Sequence, residues 1–193
     1  MSRLVLASAS PRRRELMALA GFDFEVITAD VDEVFDPLLE PCELVMSLAF
    51  QKASAVAGSN PDAAVIGADT VVVLDGKVLG KPHSEDEAVQ MLRELSGNTH
   101  EVYTGVCIIK GDKVHKFYEC TKVTFWQLED ELIAQYVASK DPMDKAGAYG
   151  IQGYGCVLIK EIKGDYFSVM GLPVSESARV LADFGVYGKV SVN

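Results

Sequence analysis

The sequence predicts an α/β fold built on a mixed, curved sheet with flanking helices. Three observations carry that prediction. Short apolar runs of strand length, such as Leu4 to Ala7 and Ala63 to Ala68, interleave with segments of helical periodicity. The interleaving has no clean βαβ repeat, because hairpin turns at Asp75-Gly76 and Gly111-Asp112 break it, so a doubly wound parallel sheet is disfavoured. The composition is that of an ordinary globular protein, with 49% hydrophobic and 24% charged residues in 193.

Taken in order, Leu4 to Ala7 reads as a short buried strand that turns at Ser8-Ala9-Ser10-Pro11 into a helix, with Ser10 as N-cap and Pro11 at N1. Leu16, Met17, Leu19 and Ala20 form its apolar face and Gly21 ends it. Phe22 to Ala29 alternates like a strand, and an acidic segment with Asp30, Asp32, Glu33 and Asp36 follows. Cys42 to Ala57 reads as a helix and Ala63 to Ala68 as a second buried strand. Val71 to Leu74 and Lys77 to Leu79 flank the Asp75-Gly76 turn as a hairpin.

Ser84 opens a further helix, Glu87 completes a capping box, and Ala88, Met91, Leu92 and Leu95 give the buried stripe before Gly97. Glu101 to Lys110 and Lys113 to Gln127 form a long antiparallel pair around Gly111-Asp112. Glu129 to Ser139 is a helix, Asp141 to Gly155 a Gly-rich loop, Cys156 to Ile162 a strand, and Pro173 to Phe184 the last helix, ended at Gly185. No internal repeat or linker is visible. The expected organisation is one domain over residues 1–186 and a C-terminal tail over 187–193.

Composition narrows the function. The net charge of −10 opposes a general nucleic-acid binder but leaves room for a small anionic ligand where basic residues cluster. No apolar run reaches the roughly 18 residues that span a bilayer. The apolar run after Arg3 is too short for a signal peptide, so the expected location is cytoplasmic. Cys42, Cys107, Cys120 and Cys156 form no C-x-x-C pair and read as reduced thiols. His83, His100 and His115 have no partner at ligand or triad spacing and read as structural or exposed.

Ser8-Ala9-Ser10-Pro11-Arg12-Arg13-Arg14 is the strongest single feature. A helix N-terminus carries partial positive charge, yet three arginines occupy this first turn. A docked phosphate would resolve that conflict through helix N–H groups, Ser hydroxyls and guanidinium forks. Lys52 falls on the apolar stripe Val45, Leu48, Ala49 and Val56; by spacing alone, a lysine snorkelling at the stripe edge is the simpler reading. Asp69, in Gly67-Ala68-Asp69-Thr70, stands at the end of an apolar strand. There it could orient water or bind a cation, or cap a turn; the residues leave both open. Lys81 in Gly80-Lys81-Pro82 is a loop cation without Walker spacing, and such a lysine is usually just solvated. Glycines in Asp144 to Gly153 would let backbone approach a flat ligand, with Gln152 offering a donor and an acceptor to a pyrimidine edge; a Gly-rich turn with a surface Gln fits too.

The ordered set resembles the Maf family of nucleoside triphosphate pyrophosphatases from Leu4 to about Gly185. Its carriers are the Ser8 to Leu16 segment, Val31-Asp32-Glu33, Lys52-Ala53, Gly67 to Thr70, Gly80-Lys81-Pro82, Ser96 to Gly105, Asp144 to Gly153 and Gly164 to Pro173. The resemblance implies two lobes flanking a cleft, related to the inosine triphosphate pyrophosphatases. It implies a divalent metal cation (Mg²⁺ or Mn²⁺), a homodimer, and a link to arrest of septum formation. By position, Asp69 would be catalytic, Glu33 and Asp69 would hold metal, and Ser8, Arg13, Lys52 and Lys81 would bind phosphates. Arg12, Thr70 and Gln152 would read the base, as in the branch that acts on dTTP and UTP, and the same set would admit modified pyrimidine triphosphates. Ser168 stands where the family pattern leads one to expect Asn.

Overall fold

A computed structural model describes residues 3–29 and 33–189. The acidic positions Asp30 and Asp32, and the tail from residue 190, lie outside the described residues. The chain divides into two compact units. The first comprises residues 1–69, 104–119 and 171–193; the second comprises 70–103 and 120–170.

In the first unit, β1 (Leu4–Leu6) pairs in parallel with β3 (Ala64–Leu74) through Leu4–Ala64, Val5–Val65 and Leu6–Ile66. Its other side takes β2 (Glu25–Val26), also parallel. The expected strand over Phe22 to Ala29 is thus only two residues long, and both are exposed. Glu25 pairs with Val5 and Val26 with Leu6, and the Ile27 N–H adds a bond to the Leu6 carbonyl at 3.2 Å. β5 (Thr99–Lys110) and β6 (Lys113–Phe125) continue the sheet, joined at Gly111-Asp112.

Helix α1 (Pro11–Leu19) is capped by Ser10 and buries Leu16 and Met17. Leu19, expected on that face, is 70% exposed at the last residue of the helix. Helix α2 (Pro41–Ala57) buries Leu44, Val45, Leu48, Ala49, Ala53 and Val56. It lies in backbone contact with the sheet. A Cβ at Gly67 of β3 would stand 2.7 Å from the Ala49 carbonyl oxygen, and one at Gly105 of β5 would stand 2.4 Å from that of Val45. Only glycine allows this approach. The core here gathers Val5, Ala7, Ala49, Ala53, Val56, Val65, Cys107 and Ile109.

In the second unit, β3 turns back through Asp75-Gly76 into β4 (Lys77–Leu79), with Val72 opposite Leu79 and Leu74 opposite Lys77. Both turn residues have positive φ, 49° and 78°, as a type I′ hairpin turn requires. Helix α3 (Glu85–Leu95) buries the predicted Ala88, Met91, Leu92 and Leu95. Ser84 Oγ accepts the Glu87 N–H at 3.1 Å, while Glu87 Oε2 accepts the His83 N–H at 2.7 Å, one residue earlier than a standard capping box. These side chains join Val72, Val102, Val123, Phe125 and Leu128 in one core with Ile133, Tyr136 and Val137 of α4 (Asp130–Ala138).

Three 3₁₀ turns, at Asp141–Asp144, Ala146–Ala148 and Gly153–Leu158, organise the predicted Gly-rich loop. The last of them takes in Cys156 to Leu158, so β7 begins only at Ile159 and runs to Lys163 against β6. A short helix α5 (Tyr166–Met170) follows that the sequence reading lacks; Asp165 Oδ1 accepts the Phe167 and Ser168 N–H groups at 2.6 and 3.3 Å. Helix α6 (Val174–Asp183), back in the first unit, starts after Pro173 as predicted. The described part of the tail is tied down, since the Lys189 N–H donates to the Gly21 carbonyl at 2.8 Å. Among the described residues no helix is long and apolar enough to cross a membrane.

Candidate functional site

The first unit assembles two groups of the predicted residues. One lies at the end of β1. The Ala7 N–H donates to the Ile66 carbonyl at 2.8 Å, which carries the pairing one residue beyond β1. Ser8 is buried, and its Oγ accepts the Ser10 N–H at 3.2 Å and a guanidinium N–H of Arg13 at 3.2 Å. Arg13 Nε donates to the Gly171 carbonyl at 2.7 Å. The three arginines therefore separate. Arg13 is buried, Arg12 half-buried and Arg14 exposed. Burial lowers the Arg13 pKa from its ordinary value and Arg12 adds to that, while the negative charges of Asp69 and Glu33 oppose it. A buried guanidinium at a helix N-terminus, balanced by carboxylates, concentrates positive potential where an anion would sit.

The other group centres on Lys52. Its side chain is 20% exposed and faces inward from α2 to a charged partner, where spacing alone favoured a lysine snorkelling at the stripe edge. Its Nζ donates to Asp69 Oδ1 and lies 3.2 Å from Glu33 Oε1. Asp69 differs from expectation in one respect. It does not end a strand; β3 runs without a break from Ala64 to Leu74, and Asp69 and Thr70 are its only half-buried positions. The polar pair looked like a strand terminus. Backbone pairing continues through it because the Asp69 carboxylate has a charged partner from the helix packed on the strand.

One contributor was missed by the sequence reading. Gln51 clamps the segment that carries Glu33: its Oε1 accepts the Val34 N–H at 2.9 Å and its Nε2 donates to the Val34 carbonyl at 3.2 Å. This two-way bond replaces a strand pairing for an otherwise irregular stretch and brings Glu33 to Lys52. A polar residue next to an inward lysine was the only available signal.

Glu33 and Asp69 present hard oxygen donors around one ammonium. That donor set suits Mg²⁺ or Mn²⁺, because Mg²⁺ takes one or two carboxylates and completes its shell with phosphate oxygens and water. Among the described residues no group of three or more His, Cys, Asp or Glu could hold a metal by itself.

The remaining predicted residues belong to the second unit. Thr70 follows Asp69 at the peptide bond where β3 passes from one unit to the other, and is half-buried. Lys81 is exposed. Its neighbour Gly80 accepts the Gly147 N–H at 3.0 Å, which joins the Lys81 segment to the Gly-rich loop. Gln152 is half-buried in that loop. His100 is buried, with Nε2 2.7 Å from the Tyr149 hydroxyl and its ring edge-on to Phe125. Burial lowers its pKa to about 4, in keeping with a structural histidine. All four cysteines are free thiols.

The family model described as Maf-like protein matches residues 3–184. A dTTP/UTP pyrophosphatase of Bacillus cereus (strain AH820) is 55% identical over 186 residues, spanning 96% of this chain and 97% of the relative. The protein of the same name from Bacillus thuringiensis subsp. konkukian (strain 97-27) matches to the same extent. Among solved structures, the Ham1 protein of Staphylococcus aureus aligns with a TM-score of 0.47 and 18% identity over 81% of this chain and 79% of its own.

Proposed function

The chain belongs to the Maf family, and from that premise we propose that it is a nucleoside triphosphate pyrophosphatase acting on dTTP and UTP, and on modified pyrimidine triphosphates of similar shape. The reaction consumes one water and yields the nucleoside monophosphate and pyrophosphate. The observation that carries the reading is the Lys52 ammonium set between Asp69 and Glu33, in the same unit as the buried Arg13.

Asp69 orients the attacking water toward the α-phosphorus and accepts its proton. The carboxylate is fixed for this by the strand beneath it and by Lys52. Lys52, Arg13 and Lys81 balance the charge that builds on the departing pyrophosphate, and the Ser8 hydroxyl donates to a phosphate oxygen. Glu33 and Asp69 would hold the divalent cation, which supplies Lewis-acid neutralisation of phosphate oxygens when bound. Arg12, Thr70 and Gln152 select the base. Gln152 can pair with both N3–H and a carbonyl of uracil or thymine, and Arg12 can donate to a carbonyl. A purine offers a different edge and would leave these groups unpaired, which is how hydrogen-bonding sites discriminate.

The test is a panel of triphosphates with purified protein and Mg²⁺, scored by pyrophosphate release. dTTP and UTP should be turned over in preference to ATP and GTP, and chelation of the cation should stop turnover until Mg²⁺ is returned. Tight binding without product would replace the enzyme with a nucleotide-sensing module, the reading that a link to septum arrest suggests. Preference for purines would overturn the assignment of Gln152.

A further inference from the structure

We propose that Tyr136 is a positioning residue whose hydroxyl holds Gln152 in place for base selection; this rests on the reading above that Gln152 meets the base. Tyr136 lies on α4 and is 4% exposed. Its hydroxyl accepts the Gly150 N–H at 3.0 Å and donates to Asp141 Oδ2 at 2.8 Å. A single oxygen thus ties both ends of the segment from 141 to 150. Burial raises the Tyr136 pKa above its ordinary value, so the hydroxyl keeps the proton that it gives to Asp141.

Neighbouring contacts close the loop on the same point. Lys145 Nζ donates to the Asp141 carbonyl at 2.5 Å and lies 3.0 Å from its Oδ1. The Lys145 stem packs on Gly150 so closely that a Cβ there would stand 2.7 Å from Cε. A Cβ at Gly155 would stand 1.9 Å from the Gly150 carbonyl oxygen and 3.0 Å from the Tyr136 hydroxyl. Residues 150–155 therefore form a small closed loop, its base seated on that hydroxyl and Gln152 within it. Tyr149 adds an anchor one residue earlier through His100.

The need for such a tie follows from composition. Gly150, Gly153 and Gly155 bring no side chains to pack, and glycine loses the most freedom on ordering. Beyond the buried Ile151, order comes from bonds to the backbone, and the Gly150 N–H, two residues before Gln152, donates one to a side chain on a rigid helix. Base selection requires that Gln152 wait in its productive geometry.

Tyr136→Phe keeps the ring and removes only the tie. The expected result is a KM for dTTP and UTP raised about tenfold with kcat within about twofold of the parent. Amide hydrogen exchange at residues 150–155 should be faster. Val137→Ala, at the next and equally buried position on α4, serves as the stability control and should lower Tm without raising KM. An unchanged KM in Tyr136→Phe, or an equal rise in Val137→Ala, overturns the proposal. Should the parent protein release no pyrophosphate from any triphosphate, the functional reading fails on its own. The exchange measurement then still decides whether Tyr136 holds the loop, and unchanged exchange at 150–155 rejects it.

Discussion

Gly67→Ala tests whether backbone contact between α2 and β3 is what brings Lys52 to Asp69. The new methyl would stand 2.7 Å from the Ala49 carbonyl oxygen, 2.8 Å from the Ala53 nitrogen and 3.1 Å from the Ala53 Cβ. Carbon and carbonyl oxygen normally approach to about 3.3–3.6 Å, so helix and strand must part by roughly half an ångström or more. None of the three is the end of a flexible side chain; two are backbone atoms that cannot rotate away. Overpacking of this kind costs about 1–3 kcal/mol. For a chain of this length that is a fall in Tm of roughly 2–12 °C. Ala49 and Ala53 bracket Lys52 on the helix, so the same displacement carries Nζ away from Asp69. Where a misplacement of about 1 Å costs on the order of a hundredfold, half of that predicts about a tenfold fall in kcat. Thermal melts and pyrophosphate release on the same preparation read both effects. Parental Tm and turnover together would refute the argument, because they would mean that the helix can retreat without moving the site.

Asp69→Asn should lower kcat about 10³-fold while nucleotide binding, measured by calorimetry, persists; parental rates would remove Asp69 from the chemistry. Gln51→Ala frees the segment that carries Glu33, so the Mg²⁺ concentration for half-maximal turnover should rise several-fold, with kcat recovered at saturating Mg²⁺. His100 titrates near pH 4 when folded, below its unfolded value near 6.5. The unfolded chain therefore takes up the proton first as pH falls. The stabilisation from the neutral buried ring is complete above pH 6.5 and is lost progressively down to pH 4. Urea unfolding at pH 7 and pH 4.5 should differ by about 2–3 kcal/mol more in the parent than in His100→Gln. Ser84→Ala removes the cap of α3 and should cost about 1 kcal/mol, seen as a drop of roughly 2–4 °C in Tm.

The parts of the fold legible in the sequence are those governed by local chemistry. Ser10 before Pro11, Ser84 with Glu87, and the Asp75-Gly76 turn each specify a backbone shape within a few residues, and each appears where it was read. Elements that depend on distant partners were not legible. Phe22 to Ala29 has a strand's alternation, but only Glu25 and Val26 find partners, in β1 some distance earlier in the chain. The break expected at Asp69 is absent because its carboxylate is satisfied by Lys52, 17 positions earlier. No periodicity encodes that pairing. By its stripe position Lys52 read more simply as snorkelling at the edge, and only the ordered set of family motifs supplied a reason for it to face inward. Tyr136 carried no mark and Gln51 only its place beside Lys52, since each acts through the backbone of another segment.

The corrected place of Asp69 sharpens how two carboxylates around one lysine can divide their work. Asp69 projects from the middle of a paired strand, and Lys52 from a helix whose backbone touches that strand, so both are held by rigid elements. Glu33 belongs to an irregular segment tied to α2 by the two-way bond between Gln51 and Val34 and by the Glu33–Lys52 ion pair, and its side chain is 42% exposed against 14% for Asp69. A group that must meet an attacking water within a few tenths of an ångström gains from the rigid position. One that must adjust as cation and triphosphate arrive and pyrophosphate departs gains from the looser one. On the proposed function, the rigid position suits Asp69 at the water and the looser one suits the share that Glu33 would take in holding the cation. The separate outcomes expected of Asp69→Asn, a loss in kcat, and Gln51→Ala, a weakened response to Mg²⁺, follow from that difference in anchorage.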